Sequence, residues 1–278
     1  MDIRIIDHVA PDSLVGVAIQ DLVRNQLAND QSLEATLNQI AFDSGKTLLI
    51  GGFIDDKLAT MNAFMPQVFE RSGARIVGYQ SGFSATGGEH RGKGYWPKLM
   101  SASMDLLRGE NGHFVFGFPN PISQPLFEKK LGFMTTPTWR VILPALMARA
   151  ARFELQRTSD FYRPDLRELA NSKRIADAKL VEVQTNGSFA FGKVRKKKGF
   201  RYVDVGGMTN GDNRLNDCIR LLCKATGTSF FRFEASESSE FGSSFRPRRP
   251  SRPVIFKALS DQLSIGDISF IGGLADDF

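Results

Sequence analysis

Residues 82–107 read GFSATGGEHRGKGYWPKLMSASMDLL, and this stretch decides the fold class. Its start continues a predicted strand over 75–84, and its middle is rich in glycine. From Tyr95 onward, apolar residues recur at helical spacing. A strand, a glycine-rich loop and a helix in this order place the loop at the end of a sheet, beside the N-terminus of the helix.

The turn at residues 91–94 within this loop, Arg-Gly-Lys-Gly, predicts an anion site. Glycines let backbone N–H groups approach a ligand, and the first turn of a helix offers unpaired donors and a partial positive charge. Arg91 and Lys93 add full charges, which favours a phosphate or pyrophosphate group. The turn has neither Walker A nor dinucleotide-binding spacing, so a glycine turn with two solvated cations is the open alternative.

The segments around this turn predict a mixed, mostly antiparallel α+β sheet flanked by helices over residues 1–145. Predicted helices cover 12–27, 31–43, 95–107 and 123–130, and predicted strands cover 3–6, 47–54, 58–68, 75–84, 113–118 and 133–143. Gly132 follows the last of these helices and is expected to end it.

The second half predicts a helical connector over 146–175 and a smaller α+β lobe over 176–278. Its predicted strands are 179–184, 188–194, 200–205, 228–234, 254–259 and 268–271, its helix is 213–225, and 236–253 is a long loop. A helix, a glycine and a phenylalanine-rich strand occur in both halves, so the lobe resembles a reduced copy of the first domain. Its junction carries Asp212 in place of the two cations. We therefore expect it to complete an acceptor cleft between the lobes instead of binding phosphate.

Composition narrows the class of protein. The chain has 278 residues, 42% hydrophobic and 24% charged, which excludes a wholly disordered protein. The net charge of +6 favours anionic partners. Cys218 and Cys223 are predicted to be buried thiols, and no Cys/His cluster indicates a metal. A charged N-terminus and short apolar stretches predict a cytoplasmic protein without a membrane segment.

The order of these elements resembles the GNAT N-acyltransferase superfamily. The segment 82–107 and the segment GHFVFGFPNPISQPLFEKKLGF (112–133) carry the resemblance, which extends over about residues 1–143. It implies a GNAT-type sheet, an acyl-CoA cofactor, acetyl-CoA or another, and direct transfer of the acyl group to an amine.

The resemblance also implies where acyl-CoA binds. Its pyrophosphate would contact the 91–94 turn, and its pantetheine arm would run beside strand residues 82–85 as an added strand. A backbone N–H there would polarise the thioester carbonyl. The implied cofactor-binding residues are Phe83, Ser84, Ala85, Arg91, Gly92, Lys93, Gly94, Tyr95, Asn120 and Ser123.

The catalytic residues are less marked in the sequence. Candidates by position are Glu89, Tyr79 and Ser123, with Glu70 and His90 as further candidates for a general base.

Two further positions depart from the family pattern. Trp96 replaces a usually small residue, and its ring either crowds the turn or packs into the core. Leu126 and Phe127 stand where many members carry a tyrosine that protonates the departing thiolate.

Three functions follow from these patterns. The leading one is an N-acyltransferase acting on a small amine, an amino sugar or an amino-acid-like acceptor. The alternative is an inactive protein that binds or senses acyl-CoA, because the tyrosine is missing. Nucleic acid is disfavoured, because the basic residues are spread over several loops without interleaved exposed aromatics. The oligomeric state, with a homodimer among the options, stays open.

Overall fold

The computed structural model describes residues 1–7, 9–10, 12–27, 32–40, 45–146, 161–176, 179–185, 188–209, 215–236, 249–260 and 262–274. The chain divides into two units that are interleaved along the sequence. Unit 1 comprises Met1–Gln67, Val77–Met134 and Ile255–Leu263. Unit 2 comprises Val68–Ile76, Thr135–Val254 and Ser264–Phe278.

The described residues form six helices and fourteen strands. The helices are α1 (Leu14–Leu27), α2 (Leu33–Gln39), α3 (Tyr95–Gly109), α4 (Gln124–Leu131), α5 (Leu166–Ala176) and α6 (Leu215–Thr226). The strands are β1 (Asp2–Ile5), β2 (Leu48–Ile54), β3 (Lys57–Arg71), β4 (Ala74–Thr86), β5 (Phe114–Gly117), β6 (Met134–Thr136), β7 (Thr138–Pro144), β8 (Arg163–Pro164), β9 (Val181–Thr185), β10 (Ser188–Lys197), β11 (Phe200–Met208), β12 (Phe230–Ser236), β13 (Arg249–Pro250) and β14 (Val254–Ala258).

The sheet of unit 1 has the strand order β1-β2-β3-β4-β5-β14-β6. The β1–β2, β2–β3 and β5–β14 ladders are antiparallel, whereas β4 and β5, which α3 connects, pair in parallel. The prediction of a mixed, mostly antiparallel sheet flanked by helices is therefore confirmed.

Apolar side chains cover both faces of this sheet. One cluster joins strand residues such as Phe64 and Val115 to Leu99 of α3 and Phe127 of α4. A second cluster is formed by the alternate strand residues, which point to the other face of the sheet. It includes Met65 and side chains of α1 and α2. Burying each such side chain contributes about 1.5–3 kcal/mol, so the helices are held to the sheet by apolar contact.

Gly78 and Phe114 make a close contact in the β4–β5 ladder. They face each other in register, and a Cβ added at Gly78 would lie 2.2 Å from Phe114 Cζ. The Phe114 ring is fully buried and stacks on Phe256 with a centroid distance of 5.4 Å. The ring thus occupies the space that any side chain at position 78 would need.

We expect Gly78→Ala to lower the free energy of unfolding by about 1–3 kcal/mol, because the Phe114 ring or the β4 backbone must move. Gly109→Ala is the matched control, since no atom lies within 4 Å of a Cβ there. At this helical position the exchange should cost nothing, or stabilise by up to about 1 kcal/mol. Urea denaturation measures both, and equal effects of the two exchanges would contradict the packing argument.

Unit 2 contains a second sheet with the strand order β13-β7-β12-β11-β10-β9. In unit 1 the β3–β4 hairpin leads through α3 to a parallel β5. In unit 2 the antiparallel β10–β11 hairpin leads through α6 to a parallel β12. The second α+β lobe therefore repeats this connection. Residues 210–214, with Asp212 of the predicted junction, lie outside the described residues.

Three other expectations concern the segments around unit 2. The strand prediction for 268–271 is wrong: Ile268 and Ile271 form only isolated bridges between two short 3₁₀ turns. The glycines that flank this apolar run let it turn and bury its side chains without a ladder. Residues 147–160 of the predicted helical connector lie outside the described residues. In its remaining part, β8 is a short strand that pairs with Phe69 and Glu70, and α5 is helical. Residues 237–248 of the predicted loop also lie outside the description.

The contiguous boundaries expected at 145 and 176 differ from the two units of the structure. The tip of the β3–β4 hairpin belongs to unit 2, and most of β14 belongs to unit 1. This interleaving arises from strand pairing, because β14 inserts beside β5 in the first sheet.

The two cysteines are buried and free of a disulfide, as predicted. Burial raises the pKa of both thiols, Cys218 and Cys223. Among the helices in the described ranges, none has the length and apolar character that crossing a membrane requires.

Candidate functional site

The ladder between β4 and β5 covers only three residue pairs, from Gly78↔Phe114 to Gln80↔Phe116. β5 ends at Gly117, whereas β4 continues to Thr86. The last part of β4 thus extends beyond this ladder in the direction of the 91–94 turn. A strand edge of this kind offers backbone N–H and C=O groups to an extended ligand.

The backbone of β4 is distorted within that extension. Phe83 has a φ of +49°, in the left-handed region that few residues other than glycine adopt. A single such residue inside a strand re-aims the neighbouring peptide groups, and it persists only where the surroundings fix it. The distortion lies among the residues predicted to line the pantetheine arm.

Two buried polar side chains of β3 fix this part of β4. Asn62 Nδ2 donates to Ser81 Oγ at 3.2 Å, and the Ser84 hydroxyl donates to Asn62 Oδ1. Thr60 Oγ1 donates to the Ala85 carbonyl oxygen at 3.0 Å. Neither residue was predicted from the sequence, although two polar residues within LATMNAFM (58–65) are a detectable signal.

The 91–94 turn is exposed. Gly92 and Gly94 both have a φ of +74°, and open space surrounds the position of a Cβ at each. Gly94 is the N-cap of α3, and its carbonyl oxygen accepts from Lys98 N at 3.3 Å. Because Pro97 has no N–H, the amides of Tyr95 and Trp96 are the donors that the first turn of the helix leaves for a ligand.

Arg91 reaches from the turn to α1. Its guanidinium donates a hydrogen bond to Gln26 Oε1, near the end of that helix. The contact is exposed, so the cation stays at the surface beside the two glycines.

Trp96 packs into the core and leaves the turn open. Its half-buried ring meets Phe127 edge to face at a centroid distance of 5.0 Å and lies against the α3 cluster. Of the two orientations that the sequence left open, the structure shows the packed one. Within the described residues its buried Nε1 has no hydrogen-bond partner.

Glu89 and His90 lie in a short 3₁₀ turn directly before the 91–94 turn. His90 Nε2 is 3.4 Å from Glu89 Oε1, and the His90 ring is 5.8 Å from the ring of Tyr95. The Glu89 carboxylate is mainly exposed. The structure therefore gathers Glu89, His90 and Tyr95 around the turn.

Asn120 and Ser123 shape the start of α4. Asn120 Oδ1 accepts from the backbone N of Ile122 at 3.0 Å and of Ser123 at 2.8 Å. The Ser123 hydroxyl donates to the Asn120 carbonyl oxygen at 3.3 Å. The amide oxygen of Asn120 is thus used by the local turn, which leaves its Nδ2 for other contacts.

Tyr79 does not join the residues around the turn. Its hydroxyl donates to the Glu110 carbonyl oxygen at 3.5 Å, at the opposite end of α3. A helix of 15 residues is about 22 Å long, so this hydroxyl is far from the 91–94 turn. Burial, and secondarily the Glu110 charge, raise the pKa of Tyr79. The hydroxyl therefore stays protonated within the core.

Glu70 belongs to unit 2. Its carboxylate forms an ion pair with Arg75 Nε at 3.0 Å, across the tip of the β3–β4 hairpin. A local structural contact thus accounts for this carboxylate.

We expect Asn62→Ala to destabilise this part of β4, because the buried hydrogen bonds between the Asn62 side-chain amide and the hydroxyls of Ser81 and Ser84 are lost. The free energy of unfolding should fall by about 1–3 kcal/mol, and CoA should stabilise the variant less against heat than it stabilises the wild type. Asn25→Ala, at an exposed position of α1, is the control and should change neither quantity appreciably. Normal CoA stabilisation of Asn62→Ala would show that Asn62 serves the fold alone.

Comparison with known proteins finds one matching family and several solved structures with a similar fold. Residues 29–136 match the family described as acetyltransferase (GNAT) domain. A GCN5-related N-acetyltransferase from Kribbella flavida has a TM-score of 0.65 at 10% identity, over 92% of this chain and 71% of that one.

Two further solved structures share the fold. A probable N-acyltransferase from Enterococcus faecalis V583 has a TM-score of 0.63 at 11% identity, over 93% of this chain and 72% of that one. Eis1 from Mycobacterium abscessus has a TM-score of 0.56 at 11% identity, over 93% and 74%. No curated protein matches the sequence. At these identities the structures show a common fold.

Proposed function

We propose that this protein is an acyl-CoA-dependent N-acyltransferase, because residues 29–136 match the acetyltransferase (GNAT) domain family. It moves an acetyl group from acetyl-CoA to the amino group of a small amine, an amino sugar or an amino-acid-like acceptor. The observation that carries the proposal is the extended edge of β4 that leads into the open 91–94 turn. An edge for a pantetheine arm and a site for a pyrophosphate are thus consecutive in the chain.

The residues of the turn fit a pyrophosphate. Left-handed Gly92 and Gly94 bring the backbone close to a ligand without a Cβ, and Tyr95 and Trp96 supply N–H donors. Arg91 and Lys93 are exposed cations at the same turn. These groups bind the cofactor by charge and by hydrogen bonds, and they hold it in one orientation.

The edge of β4 positions the reacting end. Backbone groups of residues 82–85 pair with the pantetheine arm, and the re-aimed peptide at Phe83 directs an N–H toward the acyl carbonyl. When bound, acyl-CoA supplies the thioester that the acceptor amine attacks. Asn62 and Thr60 keep the N–H groups in place during the attack, because their own hydrogen bonds fix β4.

Two proton transfers accompany acyl transfer. The acceptor amine loses a proton, for which Glu89 with the adjacent His90 is the candidate base. The departing thiolate gains one. Phe127 has no hydroxyl, and Ser123, one helical turn before it, is the candidate donor: its carbonyl oxygen accepts from Phe127 N at 3.2 Å.

One observation favours a second function, an inactive protein that binds or senses acyl-CoA. The Phe127 ring packs between Trp96 and Phe133 with centroid distances of 5.0 and 5.1 Å. The position that carries a tyrosine in many family members is thus filled by core packing.

We expect Arg91→Glu to weaken CoA binding at least about tenfold, because it replaces a cation at the pyrophosphate by an anion. The rise in melting temperature on adding CoA should disappear. Arg220→Glu, an equal charge reversal on the exposed face of α6, should keep that rise. Unchanged CoA stabilisation of Arg91→Glu would overturn the assignment of the turn.

Release of free CoA thiol separates the two functions. With acetyl-CoA and a panel of small amines, amino sugars and amino acids, an N-acyltransferase releases thiol only when an acceptor is present. Ser123→Ala should then lower kcat by about 10²-fold or more, since the candidate proton donor to the thiolate is lost. Stabilisation by CoA without thiol release for any acceptor would favour the sensing protein.

A further inference from the structure

β10 and β11 extend beyond their neighbouring strands as a two-stranded ribbon. β9 pairs with β10 only as far as Gly192, and β12 pairs with β11 only from Val203. The two strands of the ribbon remain paired to Lys197↔Phe200 at the tip. We call residues 193–202 the basic ribbon. At about 3.3 Å per residue, the hairpin continues roughly 10 Å beyond its last pair with β12 and 16 Å beyond its last pair with β9.

The basic ribbon carries a dense positive charge. Its cations are Lys193, Arg195, Lys196, Lys197, Lys198 and Arg201, and its sequence contains no acid. Arg195 Nε lies 3.8 Å from the buried Asp204 Oδ2. Residues 196–198 and Arg201 are exposed, and no acidic side chain of the described residues forms an ion pair with them. Four cations are therefore available to a partner.

These cations lie on both faces of the ribbon. The register places Lys196 opposite Arg201 on one face. On the other face it places Lys197 opposite Phe200 and Arg195 opposite Tyr202. An anionic partner must therefore present negative charge on two sides of the ribbon to engage all of them.

The aromatic ring at the tip is held by a neighbouring ring. Phe200 is 40% exposed, and its ring contacts Phe230 at a centroid distance of 4.6 Å. A ring fixed in this way is poorly placed to insert into lipid, which argues against a membrane surface as the partner.

We propose that the basic ribbon binds double-stranded DNA by entering its major groove. The groove is about 12 Å wide and admits a two-stranded β-ribbon. Phosphates on the two walls of the groove then lie on both sides of the inserted hairpin. The major groove of A-form RNA is too narrow for this. Because lysine and arginine contact phosphates here, binding is independent of sequence and sensitive to salt.

Binding of DNA by the basic ribbon differs from the expectation that disfavoured nucleic acid. The basic residues of the whole chain are spread over several loops, but those of 193–201 are consecutive or nearly so. The β10–β11 pairing places them on both faces of one hairpin. The inference does not depend on acyl transfer.

Fluorescence anisotropy of a short labelled duplex, titrated with the full chain, tests the proposal. With four phosphate contacts the slope of log K against log salt should be about −3.6, so affinity falls about 150-fold between about 50 and 200 mM salt. Lys196→Glu with Lys197→Glu changes one cation on each face. The double variant should bind at least tenfold more weakly at the lower salt, with a shallower slope.

Lys129→Glu with Lys130→Glu is the matched control, an adjacent pair of exposed lysines on α4. It should bind like the wild type, and circular dichroism melting should show both double variants folded. The proposal is overturned if the wild type does not bind duplex DNA at low salt, or if the control loses affinity equally. It is also overturned if single-stranded DNA, duplex RNA or anionic vesicles bind more tightly than duplex DNA.

Discussion

The short parallel ladder between β4 and β5 is the contact on which unit 1 depends. It closes the crossover through α3, and it brings the backbones so close that Phe114 occupies the place of a side chain at Gly78. The ladder then stops after Gln80 while β4 continues. A longer ladder would cover the edge of β4 that we assign to the cofactor, and a weaker one would release α3 and the turn at its N-terminus.

Local features of this region could be predicted from the sequence because they depend on neighbouring residues. The helical spacing of apolar residues after Tyr95 predicts α3, and the glycines predict the turn. Gly92 and Gly94 adopt the left-handed backbone that other residues avoid. Gly132 ends α4 in the same conformation, with its N–H bonded to the Phe127 carbonyl oxygen. In each case the preference of one residue type decides the local structure.

Features that depend on distant pairing could not be predicted. Asn62 and Thr60 look like interruptions of an apolar strand until β4 lies beside them, where they bond Ser84 and Ala85. The run 268–271 has the composition of a strand, but the structure gives it no ladder. The projection of the β10–β11 hairpin likewise depends on where β9 and β12 stop pairing, which no pattern within the hairpin reveals.

The place of β14 has a consequence for synthesis of the protein. Residues 255–258 pair with β5, although unit 2 supplies nearly all of the chain between the two strands. During synthesis, β5 with Phe114 and Phe116 therefore remains an unpaired strand edge until residues 255–258 have left the ribosome. An unpaired apolar edge is prone to pair with another chain, so unit 1 is most exposed to aggregation before residues 255–258 have been made.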